Sequence, residues 1–399
     1  MDKQISEVVK NIAPSATIEI ATKAKQMKRE GINVISFATG EPDFGTPEHI
    51  KKVAVKALDD EFTKYTEVAG IPELRQAIVD KLQRDNNLEY ELNQVTVANG
   101  AKQALYNAFR TLVNPGDEVV VPSPAYVSFV EQIKLCGGNA VLVPTKEENG
   151  FRLTADEIRD RISSKTKAIL INSPNNPTGA MYSEKDLLEI GNLAVEKNLW
   201  IITDEVYEKI CYDNFKHVSI ASLDKHFKER TITVNGVSKT YSMTGWRLGY
   251  AAGPTNIIKA MTNFQGHVTG NVNSITQKAA AYALTGKQDD IGVMVSEYAK
   301  RRDIVVKMLK DIEGVKCSAP DGAFYVFFNI EKLLGRKGGG KVINSDLEFA
   351  SYILDEAHIA LVPGTAFSYP GYQRISFALE TELLIEGLSR MKKAVDKMD

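Results

Sequence analysis

The chain is read as an α/β protein: a mostly parallel central sheet with helices on both faces, joined to a smaller α+β domain. Three observations carry this. The 399 residues and 43% hydrophobic content can bury more core than one domain usually holds. Short, nearly all-apolar runs alternate with amphipathic stretches up to about residue 290. Beyond that point the alternation gives way to a charged helix, short strands and a terminal helix.

The apolar runs predict strands over Gln94–Ala98, Glu118–Val121, Ala140–Val143, Lys167–Ile171, Leu199–Thr203, Thr231–Val234 and Leu248–Ala252. Ala101, Ala104, Leu105, Ala108, Phe109 and Leu112 repeat at helical spacing and predict a helix after the first strand. In the last third, SEYAKRRDIVVKMLKDI predicts the charged helix, with strands near 322–328, 359–362 and 373–377. GRKGGGK, 335–341, predicts a mobile surface loop. The expected division is an N-terminal arm (1–14), a small domain (15–45 with 290–399) and a large domain (46–289). Residues 15–45 are placed with the small domain because ligand sites commonly lie between domains and Gly40 sits in a turn-rich stretch.

Composition narrows the function. A formal charge of −2 offers no electrostatic reason for a nucleic-acid or membrane partner. Cys136, Cys211 and Cys317 lack CxxC spacing and fit free thiols in a reducing cytoplasm. No HExxH occurs and the five histidines are scattered, so no dedicated metal site is expected. Neither a signal peptide nor an apolar run of membrane-spanning length is visible.

In open α/β sheets ligands bind beyond the carboxyl ends of the strands. After the first strand comes Asn99-Gly100-Ala101-Lys102, where small residues open a helix whose free amides suit a phosphate. The same pattern also makes an ordinary strand-to-helix turn. After the fourth, SPNNPTG (173–179) is a stiff loop that aims the Asn176 amide at the cleft. After the fifth, Asp204 and Tyr207 stand in DEVY; a carboxylate there suits either a helix N-cap or a buried cationic N–H. After the sixth, NGVSKTYSMTGWRLGY (235–250) sets Lys239 among apolar and small residues that favour its free amine, the form that makes Schiff bases. Arg247 offers a planar fork to a phosphate, aided by Ser238, Thr240 or Ser242. A phosphate, a cationic ring nitrogen, a phenolate oxygen and an aldehyde together describe pyridoxal 5′-phosphate (PLP). Lys239 takes the aldehyde and Asp204 the ring nitrogen. Asn176 and Tyr207 donate to the ring oxygen, and Gly100, Ala101 and Arg247 hold the phosphate, with Lys102 and Ser238 among the further cofactor-binding residues.

GEPDF (40–44), KYTEVAGIPELR (64–75), SPNNPTG, DEVY, SKTYSMTGWRLGY (238–250), GAFY (322–325) and RISFA (374–378) resemble a class I aminotransferase of the aspartate aminotransferase family, from about residue 14 to the C-terminus. That resemblance implies the fold-type I PLP architecture and further roles. Arg374 clamps the substrate α-carboxylate through two parallel hydrogen bonds, and Gly40 contacts the substrate through its backbone. Tyr65 reaches the cofactor phosphate of a neighbouring subunit, which implies a homodimer with shared sites. Tyr126, in SPAYVSF, stacks on the cofactor and lies against the substrate, as Asn176 does. Many aspartate-specific relatives have SPYW where this chain has SPAY, so a phenol replaces an indole N–H near a distal carboxylate. Arg110 lies near where some relatives place a basic residue for that carboxylate.

The implied reaction is ping-pong transamination: an L-amino acid gives its amino group, and a 2-oxo acid such as 2-oxoglutarate receives it. Aspartate leads among donors, ahead of aromatic amino acids and alanine. Lys239, Asp204 and Tyr207 are the catalytic set. The rival readings are a β-lyase or decarboxylase on the same fold, and more distantly a non-enzymatic PLP sensor, which would need an attached nucleic-acid-binding domain.

Overall fold

The computed structural model describes residues 5–6, 10, 12 and 16–399, of which 16–21 are described by their backbone alone. The arm expected over 1–14 falls largely outside the described residues.

A first helix, α1 (Ala16–Arg29), leads to a two-residue strand, β1 (Ile35–Ser36). The central sheet follows: β2 (Val95–Ala98), β3 (Glu118–Ser123), β4 (Asn139–Pro144), β5 (Thr166–Asn172), β6 (Trp200–Asp204), β7 (Thr231–Gly236) and β8 (Gly249–Ala252). Its seven strands lie in the order β2-β8-β7-β6-β5-β3-β4. All seven expected strands are present. Neighbours from β7 to β4 pair in parallel, and β8 runs antiparallel to both β2 and β7. Helices cover both faces, so β2, β6, β7 and β8 are buried almost throughout, which is why they read as unbroken apolar runs.

This topology positions the site. Because β8 is antiparallel to both neighbours, β2 and β7 point the same way. The residues after β2, β5, β6 and β7 therefore meet at one edge of the sheet. The residues just before β8 meet them there.

Two helices brace this edge: α2 (Pro72–Asn86) and α3 (Ala101–Leu112). The expected periodicity of α3 holds, since Ala104, Leu105, Ala108, Phe109 and Leu112 are buried against the sheet. Each large apolar side chain so buried contributes about 1.5–3 kcal/mol.

Beyond the sheet, α4 (Asp289–Lys310) and α5 (Thr381–Val395) pack on a four-stranded antiparallel sheet. Its strands are β9 (Lys316–Cys317), β10 (Tyr325–Asn329), β14 (Val362–Pro363) and β15 (Tyr372–Ser376), in the order β14-β15-β10-β9. In the intervening chain, β11 (Lys337–Gly338) pairs with β12 (Lys341–Val342), and β13 (Ile359–Ala360) pairs in parallel with β1. GRKGGGK is thus a hairpin rather than the expected loop. Gly339 and Gly340 both take positive φ (58° and 77°), the conformation a two-residue hairpin turn requires and glycine supplies. The hydrophobic core of this part also takes in Val206, Tyr207 and Ile210, directly after β6, and so ends at the site.

Candidate functional site

The turn from β2 into α3 forms an anion cradle. Gly100 has φ +86°, and a Cβ there would lie 2.5 Å from Arg247 Nη2. Only a glycine lets the guanidinium come this close to the free amides that open α3. Arg247 itself takes a left-handed conformation (φ 56°), and its Nη1 donates to Thr244 O at 2.8 Å. At Gly249 a Cβ would collide with Ala101 N, so β8 presses directly on the start of the helix. Of the three candidate hydroxyl residues, Ser238 lines the cavity. Ser242 Oγ instead donates to Met294 Sδ, and Thr240 is buried.

Lys239 follows β7 and projects into the same space. Its Nζ donates to Gly40 O at 2.6 Å. Burial drives its pKa down to about 8, partly opposed by Glu41, while Arg374 pushes it lower still. Asp204 ends β6 rather than capping a helix. Burial drives its carboxyl up to about 7, opposed by a hydrogen bond from Val206 N at 3.3 Å. Tyr207, three residues on, shares a 2.7 Å hydrogen bond with the hydroxyl of Tyr325. Burial holds the Tyr207 phenol far above its ordinary pKa, so it is a proton donor across the neutral range.

Arg374, on β15, is 5% exposed. Its Nη1 donates to Asn176 Oδ1 at 3.0 Å and its Nη2 to Ala38 O at 2.8 Å. Its Nε is buried without a partner. The guanidinium carbon lies 4.5 Å from the centre of the Tyr325 ring and 5.1 Å from that of Phe367. The planar fork is therefore gripped on its faces, as suits a carboxylate arriving in its plane.

Gly40, Ala101, Lys102, Tyr126, Asn176, Asp204, Tyr207, Ser238, Lys239, Arg247 and Arg374 all line one cavity of about 1320 Å³. Gly100 lies against Arg247 at its margin. Tyr65 stands apart, 98% exposed. Arg110 is exposed in the last turn of α3, away from the sheet edge. Lys102, in the first turn, faces the cavity instead, with Nζ 5.6 Å from the centre of the Tyr126 ring.

Two further residues belong here. Tyr325 was visible only as the last letter of GAFY. Asn172, the polar end of β5, donates from Nδ2 to Asp204 O at 3.0 Å and accepts from Asn176 N at 2.9 Å. It ties the SPNNPTG loop to the end of β6. Behind DEVY, Glu205, Glu208 and His217 bring their ligand atoms within 4.8 Å of one another. The ammonium of Lys81 already pairs with Glu208, and Asn86 bonds both. His217 Nε2 and Ser219 Oγ meet Glu205 at 3.0 and 2.6 Å. Lys81 thus pairs with one carboxylate of this cluster, while Ser219 and His217 meet the other.

A buried, readily deprotonated amine, an anion cradle and a gripped arginine at one edge of an α/β sheet define a group-transfer enzyme for small carboxylates. Residues 32–391 match the model of the aminotransferase class I and II family, and the chain belongs to that family. It is an aminotransferase. It is 42% identical to the aspartate aminotransferase of Bacillus sp. (strain YM-2) over 395 residues, 99% of this chain and 100% of that one. The crystal structure of the aspartate aminotransferase from Rhizobium meliloti superposes with a TM-score of 0.97 at 43% identity, covering 99% of this chain and 100% of that one. The aspartate aminotransferase of Thermus thermophilus with maleate gives a TM-score of 0.93 at 38% identity, over 98% and 100%.

Proposed function

We propose that this aminotransferase carries the amino group of an L-amino acid, aspartate first, to a 2-oxo acid such as 2-oxoglutarate, with PLP as its cofactor. The observation that carries the reading is the convergence of Lys239, Asp204, Arg247 and Arg374 on one cavity. Aspartate is favoured by the names of the relatives and by Lys102, a further cation on the cavity wall. Arg110 is not among the residues that line this cavity.

The residues fit PLP. Gly100, Ala101, Ser238 and Arg247 would hold its phosphate, Asp204 its ring nitrogen, Asn176 and Tyr207 its ring oxygen, and Tyr126 its face. Asp204 is buried with a backbone N–H as donor, and a cationic N–H would complete its shell. When bound, PLP supplies a carbonyl that accepts the amino group and a ring that takes up the electron pair left at the substrate Cα.

With the cofactor bound, Asp204 would keep a proton on that ring. Arg374 fixes the α-carboxylate and thereby aims Cα at Lys239, with the Gly40 backbone beside it. Lys239 would hold the cofactor until the donor arrives. Once free, it takes the Cα proton as base and returns it as acid; a pKa near 8 suits both duties. The second substrate reverses these steps, so the kinetics are ping-pong. Neither the β-lyase nor the decarboxylase alternative has comparable support.

The chain is organised as a large domain (46–289) and a small domain (15–45 with 290–399). The β1–β13 pairing supports placing 35–36 with the latter. We read the enzyme as a homodimer in which Tyr65 reaches the partner's phosphate site. Its exposure and a second cavity of about 580 Å³ beside Arg247 and Trp246 support this. Three free thiols suit the cytoplasm, and no helix among the described residues is long and apolar enough to cross a membrane.

The test is the absorption spectrum of the PLP-loaded protein, with single amino acids and no 2-oxo acid. Bleaching by aspartate and recovery with 2-oxoglutarate is the expected result. Ammonia or carbon dioxide release without exchange overturns it.

A further inference from the structure

Tyr325 touches three parts of the site at once. Its hydroxyl bonds Tyr207, its ring lies on the Arg374 guanidinium, and a Cβ on Gly40, whose carbonyl holds Lys239, would come within 2.9 Å of that hydroxyl. Its side chain is fully buried, and β10 fixes it by pairing Tyr325 with Ser376 and Phe327 with Arg374. A phenol has one proton to donate and lone pairs to accept. Between two hydroxyls 2.7 Å apart, one proton occupies the bond and the other is left over. If Tyr207 donated to Tyr325, only lone pairs of Tyr207 would face the cavity. If Tyr325 donates, the proton of Tyr207 is free for an oxygen in the cavity, and accepting one hydrogen bond strengthens Tyr207 as donor of the next.

We propose that Tyr325 is the positioning residue that joins the two halves of the site, its hydroxyl turning the Tyr207 proton toward the cofactor oxygen while its ring holds Arg374 for the substrate carboxylate. This rests on the PLP reading above, and it divides one side chain into two separable functions. Burial raises the pKa of both phenols, so the pair stays protonated in the neutral range.

Two variants separate the functions. Tyr325→Phe removes the hydroxyl and keeps the ring; Tyr325→Leu removes both. Each is loaded with PLP and titrated by visible absorbance, and its dissociation constants are measured for PLP and for succinate, an unreactive dicarboxylate. For Tyr325→Phe the expected results are PLP binding weakened about 3–10-fold, the scale of one hydrogen bond, and an upward move in the pH midpoint of the cofactor band. The upward direction follows because an oxygen anion less well held by Tyr207 draws a proton more strongly. Its succinate affinity stays within about twofold of the parent, whereas Tyr325→Leu loses about tenfold or more as the guanidinium loses its aromatic face. An unchanged midpoint and PLP affinity in Tyr325→Phe overturn the proposal. So does a parallel loss of both ligands in both variants that tracks a falling melting temperature. If the parent protein itself gains no Lys239-dependent absorbance with PLP, the cofactor reading fails instead.

Discussion

Lys239 and Asp204 carry opposite shifts from one cause, burial, and each shift has a measurable consequence. Asp204 has a folded pKa of about 7 against an ordinary 3.8, so between those values the folded chain binds more protons than the unfolded one. The stability of the cofactor-free protein therefore falls as pH rises from about 4 to about 7, by about 2–4 kcal/mol. Asp204→Asn should flatten that slope, as read by melting temperature across the window. If the slope is the same in both proteins, the Asp204 carboxyl is not the buried acid described. Lys239→Ala should lower turnover by at least about 10³-fold while some PLP binding survives. Full turnover would end the assignment. The residues proposed as catalytic could be picked out in the sequence because each stands at or just after the end of an apolar strand. Tyr325 was not, because its position depends on the β10–β15 register, which no local pattern encodes.

At the scale of elements, the five residues of DEVYE face two ways. Asp204 and Tyr207 line the cavity; Glu205 and Glu208 enter the buried cluster with Lys81, Asn86, His217 and Ser219. The cluster holds the strand end from behind. Lys81→Met would strand Glu208 as a buried charge and cost about 3–5 kcal/mol in denaturant unfolding. Lys81→Met combined with Glu208→Leu should recover most of that loss, since the pair is lost together. Additive losses would mean that the two residues do not act as a pair. Strand cores were legible because burial on both faces makes them apolar. Their ends were not: β3, β5, β6 and β7 run on to Ser123, Asn172, Asp204 and Gly236, past the apolar runs. The ladder extends there through polar residues whose hydrogen bonds are tertiary, as Asn172 shows. The 337–342 hairpin was missed because composition marks a glycine run as loop without revealing that two adjacent positive φ angles make a turn.

At the scale of the molecule, the homodimer reading predicts complementation. Lys239→Ala and Tyr65→Ala chains, unfolded together and refolded as a 1:1 mixture, should form hybrids with one intact site. Activity should then rise severalfold above the mean of the separate parents. Activity equal to that mean would place Tyr65 outside any shared site. The overall architecture was legible because strand–helix alternation and its loss near residue 290 survive as sequence pattern. What remained hidden was the sharing of core between the parts: Val206, Tyr207 and Ile210 pack with the cluster around β10 and β15, a contact between segments far apart in the chain.

The pairing of Gly236 with Gly249 closes the loop 237–248 at its root, with Lys239 near one end and Arg247 near the other. Any recombination event that carries this stretch carries both groups proposed to grip the cofactor, already spaced. Arg374 lies on a different strand more than a hundred residues downstream and can be exchanged separately. Chimeras between relatives with a crossover between β8 and β9 should therefore inherit cofactor retention and the Lys102 contact from one parent, and the Arg374 grip on the α-carboxylate from the other.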